Sequence, residues 1–431
     1  ADYELELANA SITSPDGPAL NLQSKKTAFI DLQGENTLRD SAAWTKRTTP
    51  AGEEMDLKGT LFSEGALVIR GSGSLDISGT PQHALASDGH VRLRSGRVTL
   101  TAAAKDGIRA NDAFVMDDGT LDIKTPAGKG IKVDGKEDDT QALGFVAING
   151  GNLTINSHDK AITASWEADE DADTPATTDD PDPRVTINGG TLNITTTGPV
   201  RNDSDDPPGT NAPSPEGIEA KSVITINNGA ITLNTQDDSL NAGTGLYITG
   251  GRTYAHSVLN DSLDSNGPMT ISGGVLVATS RGPDPEGALD SDSSTFTITG
   301  GTFVGLGYYN STPSADASTQ NIVTVTNGLN DAVAPGLWTL RDGNGRAVFA
   351  FDIPFAAHYL TLSSPQIADG AAYTVVTGGT LGPVAENFHG LAIEPTTHTG
   401  GTAGTSLTTS QRLTALGIPF QWPPAGPAAT P

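Results

Sequence analysis

Acidic residues recur at matched positions of a short phrase that repeats along the chain. Copies of the phrase include DGIRAND at 106–112, EGIEAKS at 216–222, DSLNAGT at 238–244, DSLDSNG at 261–267 and GALDSDS at 287–293. Counted from the aliphatic residue of the phrase, an acid or an Asn lies two positions before it or one position after it in these copies. Carboxylates, Asn side chains and turn carbonyls are the oxygen ligands that Ca²⁺ takes with tolerant geometry. The matched acids therefore predict calcium sites, provided that the copies stack on one another.

The densest group of these acids falls between residues 237 and 292. The candidate metal ligands are Asp106, Asp237, Asp238, Asn241, Asp261, Asp264, Glu286, Asp290 and Asp292. Two carboxylates stacked about 4.8 Å apart repel one another, so protonation or a shared cation must relieve them. The alternative interpretation is that these are solvated turn acids, which Asp and Asn often supply at tight corners. The chain has no EF-hand loop, so the prediction rests on the register of the acids alone.

The spacing of the aliphatic members indicates what positions these acids. Leu85, Ile108 and Ile131 lie 23 residues apart, and Leu240 and Leu263 are also 23 apart. A fixed period of this length is typical of a stacked repeat, in which each coil contacts only its neighbours. The sequence therefore predicts a solenoid in which Leu240, Leu263 and Leu289 are stacked neighbours.

Strand patterns fill the rest of each repeat. VAINGGNLTIN at 146–156 and MTISGGVLVAT at 269–279 alternate apolar with polar residues on both sides of a glycine pair. Alternation turns Val146, Ile148, Leu153 and Ile155 inward, while glycine allows the corner between two strands. Three short strands in 22 or 23 residues predict an all-β, single-stranded parallel β-helix.

The phrase stops near residue 327, after which the strands read as ordinary hairpins. We therefore predict irregular N-terminal coils or a cap over residues 1–60 and the β-helix repeats over residues 61–327. Residues 328–431 are predicted to form a small C-terminal β cap module with a Gly, Thr and Pro-rich tail.

Composition limits the possible partners. The formal net charge of −26 argues against nucleic acid and anionic membranes, which such a chain would repel. No apolar run reaches the roughly 18 residues that span a bilayer, and the residues from Ala1 alternate in polarity rather than forming a leader. We expect a soluble chain, mature after signal removal and without a transmembrane segment. With no cysteine, packing, hydrogen bonds and hard cations must hold the coils together.

A few exposed side chains could bind a ligand directly. Arg92 and Arg94 could bind the carboxylates of an acidic sugar polymer, or form ion pairs with Asp117 and Asp118 on the next coil. Trp166 could stack on a sugar ring, although single aromatics on β surfaces usually cover neighbouring residues. The histidines show no metal-ligand spacing and no catalytic set is apparent, so we expect no enzyme activity.

The DGI, EGI and DSL phrases resemble those of a known family when taken together with GALDSDSSTFTITGGTFVGLG and the later SSPQIADGAAYTVVTGGT. The chain is similar, from about residue 60 to 385, to bacterial pectate-lyase-like β-helix proteins described as carbohydrate-binding domain-containing. The resemblance implies a secreted or cell-surface, right-handed β-helix with calcium in its coils that binds acidic plant polysaccharide without cleaving it. The calcium-type acids of that family match Asp106, Asp238, Asp261, Asp264 and Asp290. Lys129 and Lys160 replace the acid in two coils, which departs from the family pattern.

Two other functions compete with polysaccharide binding. Uncapped solenoid ends invite further stacking, so the chain could be a self-assembling subunit of an extracellular filament, with ADYELELANASI adding a strand to a neighbouring copy. A polysaccharide lyase would share the fold and the calcium but also needs a base beside the metal. Arg252 and Arg281 are the arginines nearest the acid-rich coils in sequence, and neither belongs to a recognisable catalytic set.

Overall fold

The computed structural model describes residues 1–48, 52, 54–136, 143–167, 182–200, 213–283, 285–292, 294–328 and 330–418. These ranges contain strands, turns and irregular segments. They hold no helix, and hence none that is long and apolar enough to cross a bilayer.

Three parallel sheets run along the molecule, and each coil contributes one strand to each sheet in turn. The first sheet contains Tyr3–Ala8, Ala28–Gln33, Leu67–Gly71, Val91–Leu93, Ala113–Met116, Phe145–Ile148, Val185–Ile187, Val223–Ile226, Gly245–Ile248, Met269–Ile271 and Phe296–Ile298. The coil strands of the second sheet are Ser11–Thr13, Glu35–Arg39, Ser74–Gly79, Arg97–Ala102, Thr120–Thr125, Asn152–Ser157, Thr191–Thr196, Ala230–Thr235, Arg252–Ser257, Val275–Ser280 and Thr302–Gly307. The third sheet contains Leu20–Leu22, Gly59–Ser63, His83–Ser87, Ile108–Ala110, Ile131–Lys136, Ile162–Glu167, Ile218–Ala220, Leu240–Ala242, Leu263–Ser265, Gly287–Asp290 and Tyr309–Asn310. The predicted all-β parallel β-helix is therefore confirmed, while its right hand stays a prediction.

The register of the third sheet follows the sequence period. Ile108 pairs with Leu85 on one side and with Ile131 on the other. Leu263 pairs with Leu240 on one side and with Leu289 on the other. Because each coil repeats the register of the last, residues at matched positions form continuous columns along the molecule.

Inward side chains fill the coil interior as the alternation predicts. Val146 and Ile148 are fully buried, and Leu153 and Ile155 are each 1% exposed. Outside the core, Asn188 donates to the side chain of Asn149 and Asn227 donates to that of Asn188, both at 2.9 Å. Stacked aliphatics and stacked amides thus join the same neighbouring coils.

The glycine pairs at the corners answer two separate constraints. Gly274 has φ of +80°, a conformation that side chains with a Cβ rarely adopt. A Cβ on Gly273 would lie 2.2 Å from the carbonyl oxygen of Thr249 in the coil below. Glycine is therefore required at the second position by backbone conformation and at the first by the closeness of the coils.

A C-terminal module packs on the outer face of the second sheet, over its last coils. Its six-stranded sheet consists, in spatial order, of Glu386–Phe388, Leu391–Ile393, Ala347–Ile353, Gly336–Asp342, Ala372–Thr377 and Thr402–Thr408, and a separate pair consists of Thr380–Leu381 and His398–Thr399. Trp338, Phe349 and Phe351 of the module share one buried cluster with Val277, Val304 and Leu306 of the coils. The module and the β-helix therefore share a core.

The end of the β-helix next to this module is covered. Tyr359–Ser363 pairs antiparallel with Thr302–Gly307 in the last coil, followed by Ile322–Asn327 and then Leu413–Ile418. The backbone N–H groups of Ser314 and Thr319 donate to Phe296 and Ile298 of the first sheet. The last coil therefore already has hydrogen-bond partners on the edges to which another copy would have to add. Filament assembly stays a prediction.

The boundaries of the coils differ somewhat from those expected. The three sheets run without interruption through residue 60, and the first coil already begins at Tyr3–Ala8. Ile322–Asn327 lies beyond the last coil, because it pairs with Tyr359–Ser363 rather than with a preceding coil. In the expected tail, Thr402–Thr408 and Leu413–Ile418 are strands, since each finds a partner edge, and residues 419–431 lie outside the described ranges.

Candidate metal centre

Two acid columns meet where the second sheet turns into the third. The parallel register places Asn241, Asp264 and Asp290 in one column, each directly after a stacked leucine. Asp238 and Asp261 lie two residues before those leucines and form the second column. The columns lie side by side because both flank the same buried leucine stack.

Three carboxylates of these columns come close enough to share an ion. One carboxylate oxygen each from Asp261, Asp264 and Asp290 lies within 4.8 Å of the others. Asp261 is buried, and Asp264 and Asp290 are half-buried, so the group opens towards solvent on one side. Carboxylate oxygens at this spacing fit a hard cation such as Ca²⁺ better than a softer metal.

Backbone N–H groups and one amide orient the buried acids. The carboxylate of Asp238 accepts from the N–H of Asp261 at 2.9 Å and from the side-chain amide of Asn241 at 3.1 Å. Asp261 accepts from the N–H of Gly287 in the next coil. Because the amide nitrogen of Asn241 donates, its amide oxygen is the atom that remains for a cation. Each coil therefore holds the acid of its neighbour in place.

The charges of this group are only partly compensated. Burial is the main cause that raises the pKa of Asp261 to about 9, and the charges of Glu286, Asp290 and Asp264 add to it. Burial, followed by Asp290 and Asp292, raises the pKa of Asp264 to about 7. The pKa of Asp238 is raised well above its ordinary value, first by burial and then by Glu216 and Asp264. The protein alone thus favours protons on acids that a cation would keep ionised.

The remaining candidates lie around this group with different roles. Asp290 accepts from the N–H of exposed Asp292 at 3.0 Å and from the hydroxyl of Ser311 at 2.9 Å. Glu286 is half-buried and contributes charge to the group. Asp237 is buried, but Asn260 at 2.6 Å and Ser214 at 3.1 Å engage its carboxylate. Asp237 is therefore a neighbour of the three clustered carboxylates and is not one of them.

The preceding coils carry basic residues in the same columns. Lys160 takes the position of Asp238 and Asp261, and its ammonium lies 2.6 Å from Glu216 and 3.4 Å from Glu219. Burial raises the pKa of Asp134, but the charges of Arg109 and Lys132 outweigh it and lower that pKa overall. Here the protein supplies its own cations.

Asp106 lies in this basic stretch and far from the clustered carboxylates. Five coil steps separate it from Asp261, through Lys129, Lys160, Glu216 and Asp238, which is about 24 Å at the spacing of parallel strands. Its carboxylate accepts from the backbone N–H of Lys129 at 2.9 Å. The structure therefore does not bring Asp106 into the metal group.

Glu216 joins the two stretches, and it is the residue that the candidate ligand set omitted. One of its oxygens meets Lys160 and Ser214, while Oε2 is buried without a hydrogen-bond partner. Burial, followed by the charge of Glu219, raises its pKa to about 7 although Lys160 opposes this. Its position two residues before Ile218 was a usable sequence signal, because Asp238 and Asp261 occupy the same column. The unpartnered Oε2 of Glu216 could therefore act as a further oxygen ligand for a cation bound near the clustered carboxylates.

The candidate sugar ligands do not converge. Arg92 donates to Asp117 at 2.6 and 3.1 Å, so it forms the ion pair that was the alternative to ligand binding. Arg94 is exposed just after the Val91–Leu93 strand of the first sheet. Trp166 is half-buried on a strand of the third sheet, opposite Gly135. Trp166 therefore belongs to a different face of the coil from Arg92 and Arg94, and the three residues form no common site.

Comparison with known proteins gives two matches. A family model described as "Carbohydrate-binding domain-containing protein" matches residues 1–262, which is more than half of the 431 residues. Among solved structures, the chain is similar to a polysaccharide lyase-like protein from C. thermocellum, solved as a gadolinium derivative. That likeness has 18% identity, covers 46% of this chain and 73% of the other, and has a TM-score of 0.32. No curated protein matches the chain.

Proposed function

Because the chain belongs to the carbohydrate-binding domain-containing protein family, we propose that it is a calcium-stabilised β-helix that binds acidic polysaccharide outside the cell without cleaving it. The observation that carries the calcium part is the group of three carboxylate oxygens of Asp261, Asp264 and Asp290 within 4.8 Å. The family supports the carbohydrate part.

Calcium and an acidic ligand suit one another on this chain. A protein with a formal net charge of −26 repels a polyanion over most of its surface. Bound Ca²⁺ would supply positive charge at the corner where Asp261, Asp264 and Asp290 meet. Bound calcium would therefore have two effects: it would stabilise the coils, and it would lower the repulsion between the protein and an acidic polymer.

The arginines of these coils support binding rather than catalysis. A lyase needs a base positioned to remove a proton beside the metal. Arg252 begins its strand, at the end away from the clustered carboxylates, and is bound to Glu386 of the C-terminal module. The guanidinium of Arg281 lies over the ring of Phe355 at 4.6 Å, and an arginine that keeps its charge serves as a ligand group rather than as a base. We propose that the chain holds its polysaccharide and releases it unchanged.

The proposed calcium site supports an extracellular location. Extracellular calcium modules typically bind with dissociation constants of about 10⁻⁴ to 10⁻³ M, far weaker than cytosolic buffers. Stacked turn acids without a dedicated ligand loop suit that range. Polysaccharide ligands are also most abundant at cell surfaces, which places both partners in one compartment.

Retention on immobilised glycans tests this function. We expect the protein to be retained on a polyuronate with calcium present, to elute when calcium is chelated, and to pass through a neutral polymer. Asp264→Asn should weaken calcium-dependent retention, whereas Asp122→Asn, a change at an exposed ion pair with Arg97, should not. Lack of retention on every acidic glycan would refute the function, and release of unsaturated sugar ends would make the chain a lyase.

A further inference from the structure

A cavity of about 260 Å³ lies where the last coils meet the C-terminal module. Arg281 and Tyr308 come from the corners that follow two successive strands of the second sheet. Phe355, His358 and Asp331 come from the C-terminal module. The proposed function leaves this cavity unassigned, although its lining combines one arginine with several rings.

The backbone beneath Arg281 is tightly held. The hydroxyl of Ser280 donates to the carbonyl of Asn260 at 2.6 Å and accepts from the N–H of Gly282 at 2.9 Å. A Cβ on Gly282 would lie 2.6 Å from that of Glu286, so only glycine fits this turn. Arg281 therefore projects from a tightly held corner. Asn260, which this corner contacts in the coil below, directly precedes the metal candidate Asp261.

The guanidinium of Arg281 is oriented by a ring, and its N–H groups face no carboxylate within the described ranges. It lies 4.6 Å from the centroid of the Phe355 ring, a stacking contact that uses its face rather than its N–H groups. Arg281 is exposed and makes no ion pair with the carboxylates of the described residues. A planar fork of free donors is the group that proteins use to bind a carboxylate through two parallel hydrogen bonds.

The rest of the lining suits a sugar ring. The rings of Tyr308 and His358 lie 4.3 Å apart at 43°, and His358 Nε2 lies 3.4 Å from the carboxylate of Asp331. Rings offer a surface on which the apolar face of a sugar packs, and the Asp331 carboxylate can accept from its hydroxyls. The volume is below the roughly 300–1,000 Å³ of pockets for drug-sized ligands, which fits one sugar unit of a chain.

Arg281 places a positive charge on this face of an acidic chain. The Arg281 charge lowers the pKa of His256, after the larger effect of burial, and it opposes the effect of burial that raises the pKa of Tyr254. These residues lie on the neighbouring coil, so the field of Arg281 extends across this face. Because Arg281 and Asp331 both line the cavity, an anionic group is favoured next to the guanidinium rather than over the cavity as a whole.

We infer that this cavity binds one carboxylate-bearing sugar unit, a uronic acid residue, with its carboxylate on Arg281 and its ring against Tyr308 and Phe355. The inference rests on the proposed function, because it assigns where the acidic polysaccharide is held. It adds a site that is made jointly by the coils and the C-terminal module.

Calorimetric titration with a uronic acid trimer and its carboxyl-reduced counterpart, in saturating calcium, tests the inference. We expect Arg281→Gln to weaken binding of the acidic trimer about 10- to 100-fold, the range of a lost charge-assisted pair. Arg97→Gln is the matched control, since it also removes an exposed arginine from the second sheet and should leave binding unchanged. Phe355→Leu should give an intermediate loss, because the guanidinium loses the ring that orients it.

The outcomes separate this inference from the function on which it rests. If the wild type binds the acidic trimer and Arg281→Gln binds it equally well, the cavity assignment is wrong and the proposed function stands. Equal binding of the reduced trimer by the wild type overturns the carboxylate assignment. If the wild type binds no acidic glycan at all, both fail. Unfolding of each variant in urea, matched to the wild type, establishes that a loss of binding is local.

Discussion

Two stretches of the same corner use identical backbone positions for opposite charges. In the earlier coils the columns carry Arg109, Lys129, Lys132 and Lys160, which pair with buried or half-buried carboxylates such as Asp134 and Glu216. In the later coils the same columns carry Asp238, Asp261, Asp264 and Asp290. The earlier stretch balances its charge with covalently attached ammonium and guanidinium groups. The later stretch relieves its charge by protonation or, as proposed above, by a cation from solution.

The difference shows how the neighbours of a stacked carboxylate set its pKa. In the earlier stretch Lys160 and Lys221 outweigh burial and lower the pKa of Glu219, although Glu216 beside Lys160 keeps a pKa raised to about 7. Among the described residues no lysine or arginine pairs with Asp261 or Asp264, and their pKa values are raised to about 9 and about 7. Under the proposed function, calcium would supply in the later stretch the positive charge that lysine supplies in the earlier one.

The largest expected effect comes from removing the built-in cation. Lys160→Met leaves buried Glu216 without its ammonium and Glu219 with Lys221 alone, which should lower the free energy of unfolding by about 3–5 kcal/mol. Saturating calcium should restore part of this loss, since the earlier stretch then resembles the later one. Urea unfolding with and without calcium measures both effects.

Lys46→Met is the control for that substitution. Lys46 pairs with Glu54 on the surface, with 84% and 61% of the two side chains exposed, so its loss should cost less than about 1 kcal/mol. Equal losses for the two variants would mean that buried charge balance does not distinguish the stretches.

Calcium itself should have the next largest effect. At 100 times the dissociation constant, one site adds about 2.7 kcal/mol to the free energy of unfolding. Asp264→Asn should stabilise the metal-free protein at pH 8, because it removes repulsion, and should gain less from calcium than the wild type. Thermal unfolding of the wild type, Asp264→Asn and Asp122→Asn compares the gains. If calcium shifts all three transitions equally, the clustered carboxylates do not bind it.

The pH dependence should give the most gradual effect over the neutral range. Asp261 and Asp264 have folded-state pKa values of about 9 and about 7, above the roughly 3.9 of an unfolded Asp. The folded protein therefore binds more protons than the unfolded chain between these values, and the metal-free protein loses stability as pH rises through this window.

Since the coupled acids release protons one after another, the loss should be spread gradually over pH 6 to 8 rather than occurring in one step. Urea unfolding at several pH values, with and without calcium, measures it, and calcium should flatten the profile. Metal-free stability that rises from pH 6 to 8 would contradict the assigned repulsion.

The sequence predicted the columns but not the membership of the metal group. Asp261, Asp264 and Asp290 could be placed together because the aliphatic spacing sets the register of their coils. Asp106 satisfies the same pattern, yet five coils separate it from Asp261. Asp237 is adjacent to the group, but hydrogen bonds from Asn260 and Ser214 engage its carboxylate. Position in a repeat predicts the column, whereas the neighbours of each carboxylate depend on rotamers and loops.

The sequence by itself determined the repeat, the three strands of each coil, the glycine corners and the acid columns. These features are local and periodic, because each coil repeats the backbone of the previous one. Only the tertiary structure decided that Lys160 meets Glu216, 56 residues later, and that Arg281 meets Phe355 of the C-terminal module. The 56-residue separation of Lys160 and Glu216 departs from the 22- or 23-residue period, and Phe355 lies outside the repeat, so the period alone encodes neither contact.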